Sequence, residues 1–298
     1  MTLRYDFVGV GGLAYDLVLR VESLPIADEK YMARLIGKFP GGFIANATCA
    51  AAHLGLRTGY AGWVGADTEG DMLHNDFVQR GVDPAGLVHV AGHSTPFTVV
   101  LSEPGGQRAI LIPHSPLFEL PLTNPQLALV EQARAVLTFP RDLEWFSKLR
   151  RYTLQGGGII ALDIENTVPM QGHALRQAIR LSEIVFLKHS SLPEIGIYAL
   201  PDLVSPGQWL TLSSGSSGVY GIAHGMLSPV FQPVLPVDAV DTTGAGDCFH
   251  AALITARLEG ATLVEGLRFA TAAAALKVQH RGPRTGLPTR AEVEAMLA

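Results

Sequence analysis

Apolar residues along this chain fall into two kinds of run. Short, nearly continuous runs at 5–10, 57–64, 135–139, 158–163, 184–187 and 209–213 predict strands buried on both faces. Longer stretches at 44–54, 68–80, 126–132, 143–154 and 174–181 carry apolar residues at helical spacing or are rich in helix formers. From 126 onward the two kinds alternate. That alternation predicts an α/β chain with a mainly parallel central sheet between two helical layers. Segments 17–21, 31–39, 96–102 and 107–112 break the rhythm and read as strands. The last two flank Glu103-Pro104-Gly105-Gly106, a hairpin signal. We therefore expect a small β lid from 13–38 and 94–112, projecting from a main body of 1–12, 39–93 and 113–298. Hairpin-like strands at 218–224 and 230–237 precede helices at 245–259, 262–279 and 290–297.

Composition narrows the class. The chain has 298 residues, with 48% hydrophobic and 16% charged, which excludes a disordered polyelectrolyte. A formal net charge of −5 gives no footprint for nucleic acid or an anionic membrane. Cys49 and Cys248 lie far apart and match neither a disulfide framework nor a zinc spacing. Asp6 and Asp16 interrupt the amino-terminal apolar stretch, against a signal peptide. No apolar run approaches the ~20 residues of a membrane span. A cytoplasmic protein without nucleic-acid or membrane partners is expected.

Three stretches could carry chemistry. The first is Asp241-Thr242-Thr243-Gly244-Ala245-Gly246-Asp247-Cys248-Phe249, followed by His250, between a β-like segment and a helix. Its small residues let a ligand approach backbone, and a helix start offers free N–H groups to an anion. Asp247 has no reason to bind that anion; it could take a proton from a nucleophile facing it. The plain alternative is a Gly-rich turn with Asp247 as a cap. The second is Gly41-Gly42-Phe43-Ile44-Ala45-Asn46, either a ligand-facing turn with Asn46 as donor and acceptor, or an ordinary turn into a buried helix. The third is Asp16, a carboxylate in an apolar setting that sugar hydroxyls or backbone N–H groups would satisfy. In addition, Gly9-Val10-Gly11-Gly12-Leu13-Ala14 matches the dinucleotide fingerprint G-x-G-x-x-A, with Glu29 near the ribose-binding distance. Against it, 17–21 is β-rich where a crossover helix is required.

The run at 241–249 resembles the carboxy-terminal signature of the ribokinase-like (PfkB) family of sugar and nucleoside kinases. Gly41-Gly42…Asn46 resembles the amino-terminal signature. Val64-Gly65-Ala66-Asp67…Gly70, Gly105-Gly106-Gln107-Arg108, Gly215-Ser216-Ser217-Gly218 and Arg281-Gly282-Pro283…Pro288 follow in the family's order. The resemblance implies a ribokinase-like three-layer α/β/α domain with a β lid, and an ATP-dependent kinase acting on a primary hydroxyl of a small sugar. It implies Asp247 as the base and Gly244, Ala245 and Gly246 as the anion hole. It places sugar hydroxyls at Asp16, Gly41, Gly42 and Asn46. It places ATP along Lys188, Ser213, Gly215, Gly218, Asp241 and Thr243, with Mg²⁺ bridging phosphates, a monovalent cation as a common activator, and no protein metal ligand assigned.

Likeness to sulfofructose and ketohexose kinases rests on Lys30-Tyr31, Phe249-His250 and 268–277. Lys30 and Arg141 would then face an anionic group on the sugar. The family's N-x-x-E is replaced by Leu187-Lys188-His189-Ser190-Ser191-Leu192-Pro193-Glu194, which implies altered Mg²⁺ handling. A homodimer through exposed lid edges is a further expectation. A nucleoside kinase, an NAD(P)-dependent dehydrogenase using 9–14, and a non-catalytic sugar sensor remain as alternatives at this stage.

Overall fold

A computed structural model describes residues 4–105, 107–165, 169–189 and 204–298. The chain builds one nine-stranded sheet and one four-stranded sheet. The large sheet contains β1 (Tyr5–Val10), β4 (Thr58–Gly65), β5 (Val82–Val90), β8 (Ala133–Thr138), β9 (Ile159–Ile164), β10 (Ile184–Lys188), β11 (Trp209–Ser213), β12 (Gly218–Ala223) and β13 (Val230–Pro233). Its order is β13-β12-β11-β10-β9-β8-β1-β4-β5. All pairings from β11 to β5 are parallel; β12 and β13 add an antiparallel edge.

Alternation along each strand divides the interior into two cores. Phe7, Leu137, Ala161 and Phe186 point to one face. There they meet α1 (Phe43–His53), α2 (Thr68–Gln79), α6 (Ala245–Leu258), α7 (Leu263–Lys277) and α8 (Arg290–Leu297). Val8, Val136, Ile160, Leu162 and Val185 point to the other. They meet α3 (Asn124–Glu131), α4 (Leu143–Gln155) and α5 (Gly172–Arg180). This is the three-layer arrangement that period-two burial of a parallel sheet demands. Helix starts are written locally: Thr123 with Gln126, Thr262 with Glu265 and Thr289 with Glu292 each close a reciprocal capping box.

β1 sits between β4 and β8, so the chain leaves it in one direction and later fills the other side. Such a reversal opens a crevice at the carboxyl ends of the strands, the usual ligand site of an open α/β sheet. The small sheet stands over that region. It has β2 (Tyr15–Arg20), β3 (Arg34–Pro40), β6 (Phe97–Ser102) and β7 (Arg108–Leu111) in the order β3-β2-β6-β7. One departure from the sequence reading has a local cause. β5 was not expected, because Pro84 and Gly86 break its apolar run; it is an edge strand, where a missing N–H is tolerated. After β1 the chain enters β2 rather than a helix, so the fingerprint at 9–14 has no helix N-terminus to hold a pyrophosphate. The dehydrogenase alternative falls with it; Glu29 is exposed and accepts a hydrogen bond from the Tyr31 hydroxyl at 2.9 Å.

The motif at 64–70 is structural. Asp67 caps α2 by accepting from Gly70 N at 2.8 Å, and also accepts from Thr95 N at 2.7 Å. This ties the end of β4 to the start of a lid strand.

Candidate active site

The expected anion site lies where the 241–247 run enters α6. Gly244 precedes the helix with φ 79°, a conformation that costs a side-chain-bearing residue, and a Cβ there would lie 2.6 Å from Pro283 O. Ala245 N donates to Thr242 O at 3.2 Å. Among the described residues, the N–H groups of Gly244 and Gly246 find no acceptor, as expected of donors kept for an anion. Asp241 braces the turn. Its Oδ1 accepts from Thr243 N at 2.9 Å and Thr243 Oγ1 at 2.6 Å, and its Oδ2 accepts from Gly282 N at 2.8 Å. Burial opposes its ionisation, but these bonds outweigh burial and hold its pKa below the ordinary value.

Asp247 lies in the first turn of α6, half-buried. Burial pushes its carboxyl up to about 7; the hydrogen bond from Asn46 and the charge of His250 work in the other direction, and Asp163 and Glu165 add to the rise. The partner is Asn46 Nδ2, 2.8 Å from Asp247 Oδ2. Asn46 belongs to the first turn of α1, so the second motif reaches the first across 201 positions of sequence.

Asp16, expected to meet sugar hydroxyls, comes from β2 and accepts from Thr98 Oγ1 of β6 at 2.6 Å. Burial raises its pKa, and the Thr98 bond opposes the rise. Gly41 lies directly behind it: a Cβ on Gly41 would sit 2.6 Å from Asp16 Oδ1. Gly42 precedes α1 with φ 91°.

The loop at 278–288 braces both halves. Val278 O accepts from Val240 N at 2.8 Å and Asp241 N at 3.0 Å. Arg284 donates to Asn46 Oδ1 at 2.8 Å, to Gly41 O at 2.5 Å and to Asp76 Oδ2 at 2.5 Å. Lys277, fully buried, donates to His280 O at 3.2 Å, and burial lowers its pKa. The sequence quoted this loop but not Arg284; the available signal was a lone arginine between Gly282, Pro283 and Gly286.

Of the residues expected along ATP, Lys188 ends β10 and forms an ion pair with Glu165. Ser213 ends β11, and Gly215 and Gly218 flank a short turn into β12 with φ 57° and 138°. Behind Asp247, His250 Nδ1 is 3.3 Å from Asp163 Oδ2, and its ring stacks on Phe186 with centroids 4.0 Å apart. Among the described residues the buried Asp163 Oδ2 forms no hydrogen bond, its approach to His250 lacking the required geometry. Among the described residues, no three His, Cys, Asp or Glu side chains gather as a cage for a resident metal. An orphaned carboxylate oxygen beside Glu165 instead fits a hydrated Mg²⁺ carried in on phosphates, since Mg²⁺ keeps several waters. The N-x-x-E replacement at 190–194 lies outside the described residues.

Two expected substrate contacts are placed differently. Arg141 donates to Leu120 O at 2.9 Å and Phe118 O at 3.3 Å, pairs with Asp142 at 2.9 Å, and lies over the Trp145 ring. Its fork is committed to the backbone of 118–120 rather than to a sugar anion. Lys30 is exposed in the loop between β2 and β3. A cation the sequence reading left without a role does reach the site. Arg108 of β7 donates to Thr243 Oγ1 and lies 4.0 Å from Asp241 Oδ1, joining lid to anion site.

Comparison with known proteins agrees with this geometry. The model of the pfkB family carbohydrate kinases matches residues 6–138 and 180–290. A ribokinase of Bacillus subtilis is 30% identical over 297 residues, covering 97% of this chain and 98% of its own. A nucleoside kinase of Methanothermobacter thermautotrophicus is 26% identical, covering 96% of this chain and 94% of its own. The structure of an Arabidopsis thaliana ribokinase complexed with ribose and ATP superposes with a TM-score of 0.84 at 26% identity, covering 100% of this chain and 99% of that one. With the family model matched in both halves of the chain and a ribokinase 30% identical over nearly all of it, the protein belongs to the pfkB family of carbohydrate kinases and is an ATP-dependent phosphotransferase.

Proposed function

We propose that the enzyme moves the γ-phosphoryl group of ATP to a primary hydroxyl of a small sugar, with a neutral ketohexose as the favoured acceptor. The observation that carries the reading is Asp247: a carboxyl with pKa near 7, held by Asn46 and set beside unpaired N–H groups at a helix start. A carboxyl raised by burial toward neutrality is matched to taking a proton as the hydroxyl attacks. Asp16, Asn46 and the backbone of Gly41 and Gly42 hold the sugar's hydroxyls and aim one at the phosphorus. The N–H groups of Gly244 and Gly246 meet charge developing on the transferred group. Lys188, Ser213, Gly215 and Gly218 border the nucleotide, with Asp241 and Thr243 shaping the phosphate end. Bound with ATP, Mg²⁺ neutralises phosphate charge. The lid, tethered by Arg108 at Thr243 and by Lys38 to Glu69 at 2.5 Å, keeps water from competing as acceptor.

The ketohexose preference is supported by the likeness at Phe249-His250 and 268–277. An anionic sulfosugar would have needed Arg141, which is engaged elsewhere. A nucleoside acceptor would want an open aromatic slot. Tyr15 and Phe97 instead stack on each other at 5.7 Å, and Phe43 packs edge-on to Phe139 at 5.9 Å. Measured kcat/KM over ribose, fructose, sulfofructose and nucleosides tests the reading. We expect the best value with fructose; ribose, a nucleoside or sulfofructose at the top would replace it.

We also infer a homodimer formed through the lid. Among the described residues nothing pairs with either edge strand of the small sheet, and Leu35, Ile36, Phe39, Ile110 and Leu111 on them are exposed. Placing Glu at both Leu35 and Leu111 should shift the sedimenting species from dimer to monomer. A wild-type protein that sediments as a monomer removes the proposal. Cytoplasmic location is inferred from the two free, buried cysteines; no helix among the described residues is long and apolar enough to cross a membrane.

A further inference from the structure

Arg284 is among the most enclosed charged groups at the site; its side chain is 3% exposed. Every nitrogen of its guanidinium donates: Nε to Asn46 Oδ1 at 2.8 Å, Nη1 to Asp76 Oδ2 at 2.5 Å and Nη2 to Gly41 O at 2.5 Å. A guanidinium has donors and no acceptor, so it can face only the oxygen of the Asn46 amide. The amide nitrogen is thereby turned the other way, where Nδ2 donates to Asp247 Oδ2 at 2.8 Å. The reversed amide would set donor against donor at Arg284 and lone pair against lone pair at an ionised Asp247.

We propose that Arg284 is a positioning residue for phosphoryl transfer: through the Asn46 amide it holds the Asp247 carboxylate in the direction from which it receives the acceptor's proton. The proposal rests on the reading of Asp247 as the base.

The surroundings favour orientation over stability as the reason for this arginine. Asp76 balances its charge and is itself bonded to Arg80 Nε at 2.8 Å, while Arg80 Nη1 donates to Arg284 O at 2.7 Å. Taking such a pair out of water costs as much as it returns, and apolar side chains in place of both partners would fill the space as stably. Other charged groups face Asp247: His250 from its own helix, Asp163 and Glu165 from β9 and its end, Lys188 from β10, and Lys277 from α7. Among the described residues, Asn46 alone is hydrogen-bonded to the carboxylate. What fixes Asn46 therefore fixes the base.

A double-mutant cycle tests the coupling. Arg284→Met should lower kcat by about tenfold, the worth of a weakened bond to a charged group, with KM for ATP unchanged. In an Asn46→Ala background the same substitution should cost less than about twofold, because the path is already cut. The acid limb of kcat/KM should move up by about one pH unit in Arg284→Met, since the carboxylate loses the donor that favours its charged form. Equal fold losses in both backgrounds, or a limb that stays put, would overturn the proposal. A lower melting temperature alone would mark a structural arginine. If Arg284→Met strands Asp76 and fails to fold, the cycle is run with Asp76→Asn throughout, and the same two outcomes decide. Asp247→Asn measured alongside separates the readings: retained turnover there removes the base itself, whereas an inactive Asp247→Asn with an additive cycle removes only the role of Arg284.

Discussion

Asp247→Asn should lower kcat by roughly 10²–10⁴-fold, the usual worth of a general base, with sugar and ATP binding within a few-fold of wild type. A sugar hydroxyl is a poor nucleophile at neutral pH, and its proton must leave as the bond to phosphorus forms. The Asn variant keeps the shape of the turn and the N–H groups of Gly244 and Gly246. It loses only the atom that receives the proton. A carboxyl serving merely as a helix cap would give the opposite pattern, with turnover per folded molecule kept and melting temperature reduced. Steady-state kcat and melting temperature on the same preparation decide the matter.

The pKa of Asp247 adds a sign to this experiment. Burial raises it to about 7, so wild-type kcat/KM should fall as pH drops below 7 and the base becomes protonated. Stability runs the other way. A carboxyl whose folded pKa exceeds its unfolded value binds more protons in the folded state between those two values. Folding stability is therefore lost as pH rises through that window, from about 4 to 7. At pH 8 wild type bears the cost of an ionised, desolvated carboxylate that the Asn variant lacks. The variant should melt at or above wild type at pH 8, and the difference should shrink or reverse toward pH 5. A melting difference independent of pH over this range would mean that Asp247 titrates near its ordinary value.

How far the site was legible depends on which contacts are local. The run 241–249 puts the proposed anion site and base on consecutive residues; spacing alone left a capped Gly-rich turn equally open, and the family resemblance supplied the roles. Gly41 and Asn46 were legible as a turn and a polar helix start. Their meeting with Asp247 was not, because it joins α1 to α6 across 201 positions. Arg284 meets Asn46 across 238 positions and belongs to a loop with no periodicity, so nothing local marked it. Arg141 misled for a different reason. The sequence shows a cation after a strand, but its acceptors are the backbone carbonyls of Phe118 and Leu120, which no residue type announces. The fold was easier, since burial on both faces leaves continuous apolar runs in β1, β8, β9 and β10. β5 escaped because an edge strand tolerates Pro84 and Gly86 within it.

Gly41→Ala should raise KM for the sugar about 10- to 100-fold while changing kcat and KM for ATP little. The added methyl carbon would lie 2.6 Å from Asp16 Oδ1 and 2.8 Å from Asp16 Oδ2, well inside contact distance. Aspartate is too short to move its carboxylate aside while keeping it in place. The group must swing off, breaking its bond from Thr98 Oγ1 and leaving the position from which it would accept sugar hydroxyls. Hydrogen bonds to a charged acceptor are worth about 1.5–3 kcal/mol, which is one to two factors of ten. The loss falls on KM because Asp16 binds the sugar in ground and transition states alike, an interaction uniform along the reaction. Asp247, Asn46 and the anion site stay as they are, so sugar that does bind reacts at nearly the normal rate. Asp16→Asn provides the matching control: it leaves Gly41 alone, removes the charge, and should raise sugar KM in the same direction. Should Gly41→Ala leave sugar KM unchanged while Asp16→Asn raises it, the carboxylate tolerates the methyl and the close approach has no functional weight. Unchanged KM in both would move the sugar away from Asp16 altogether.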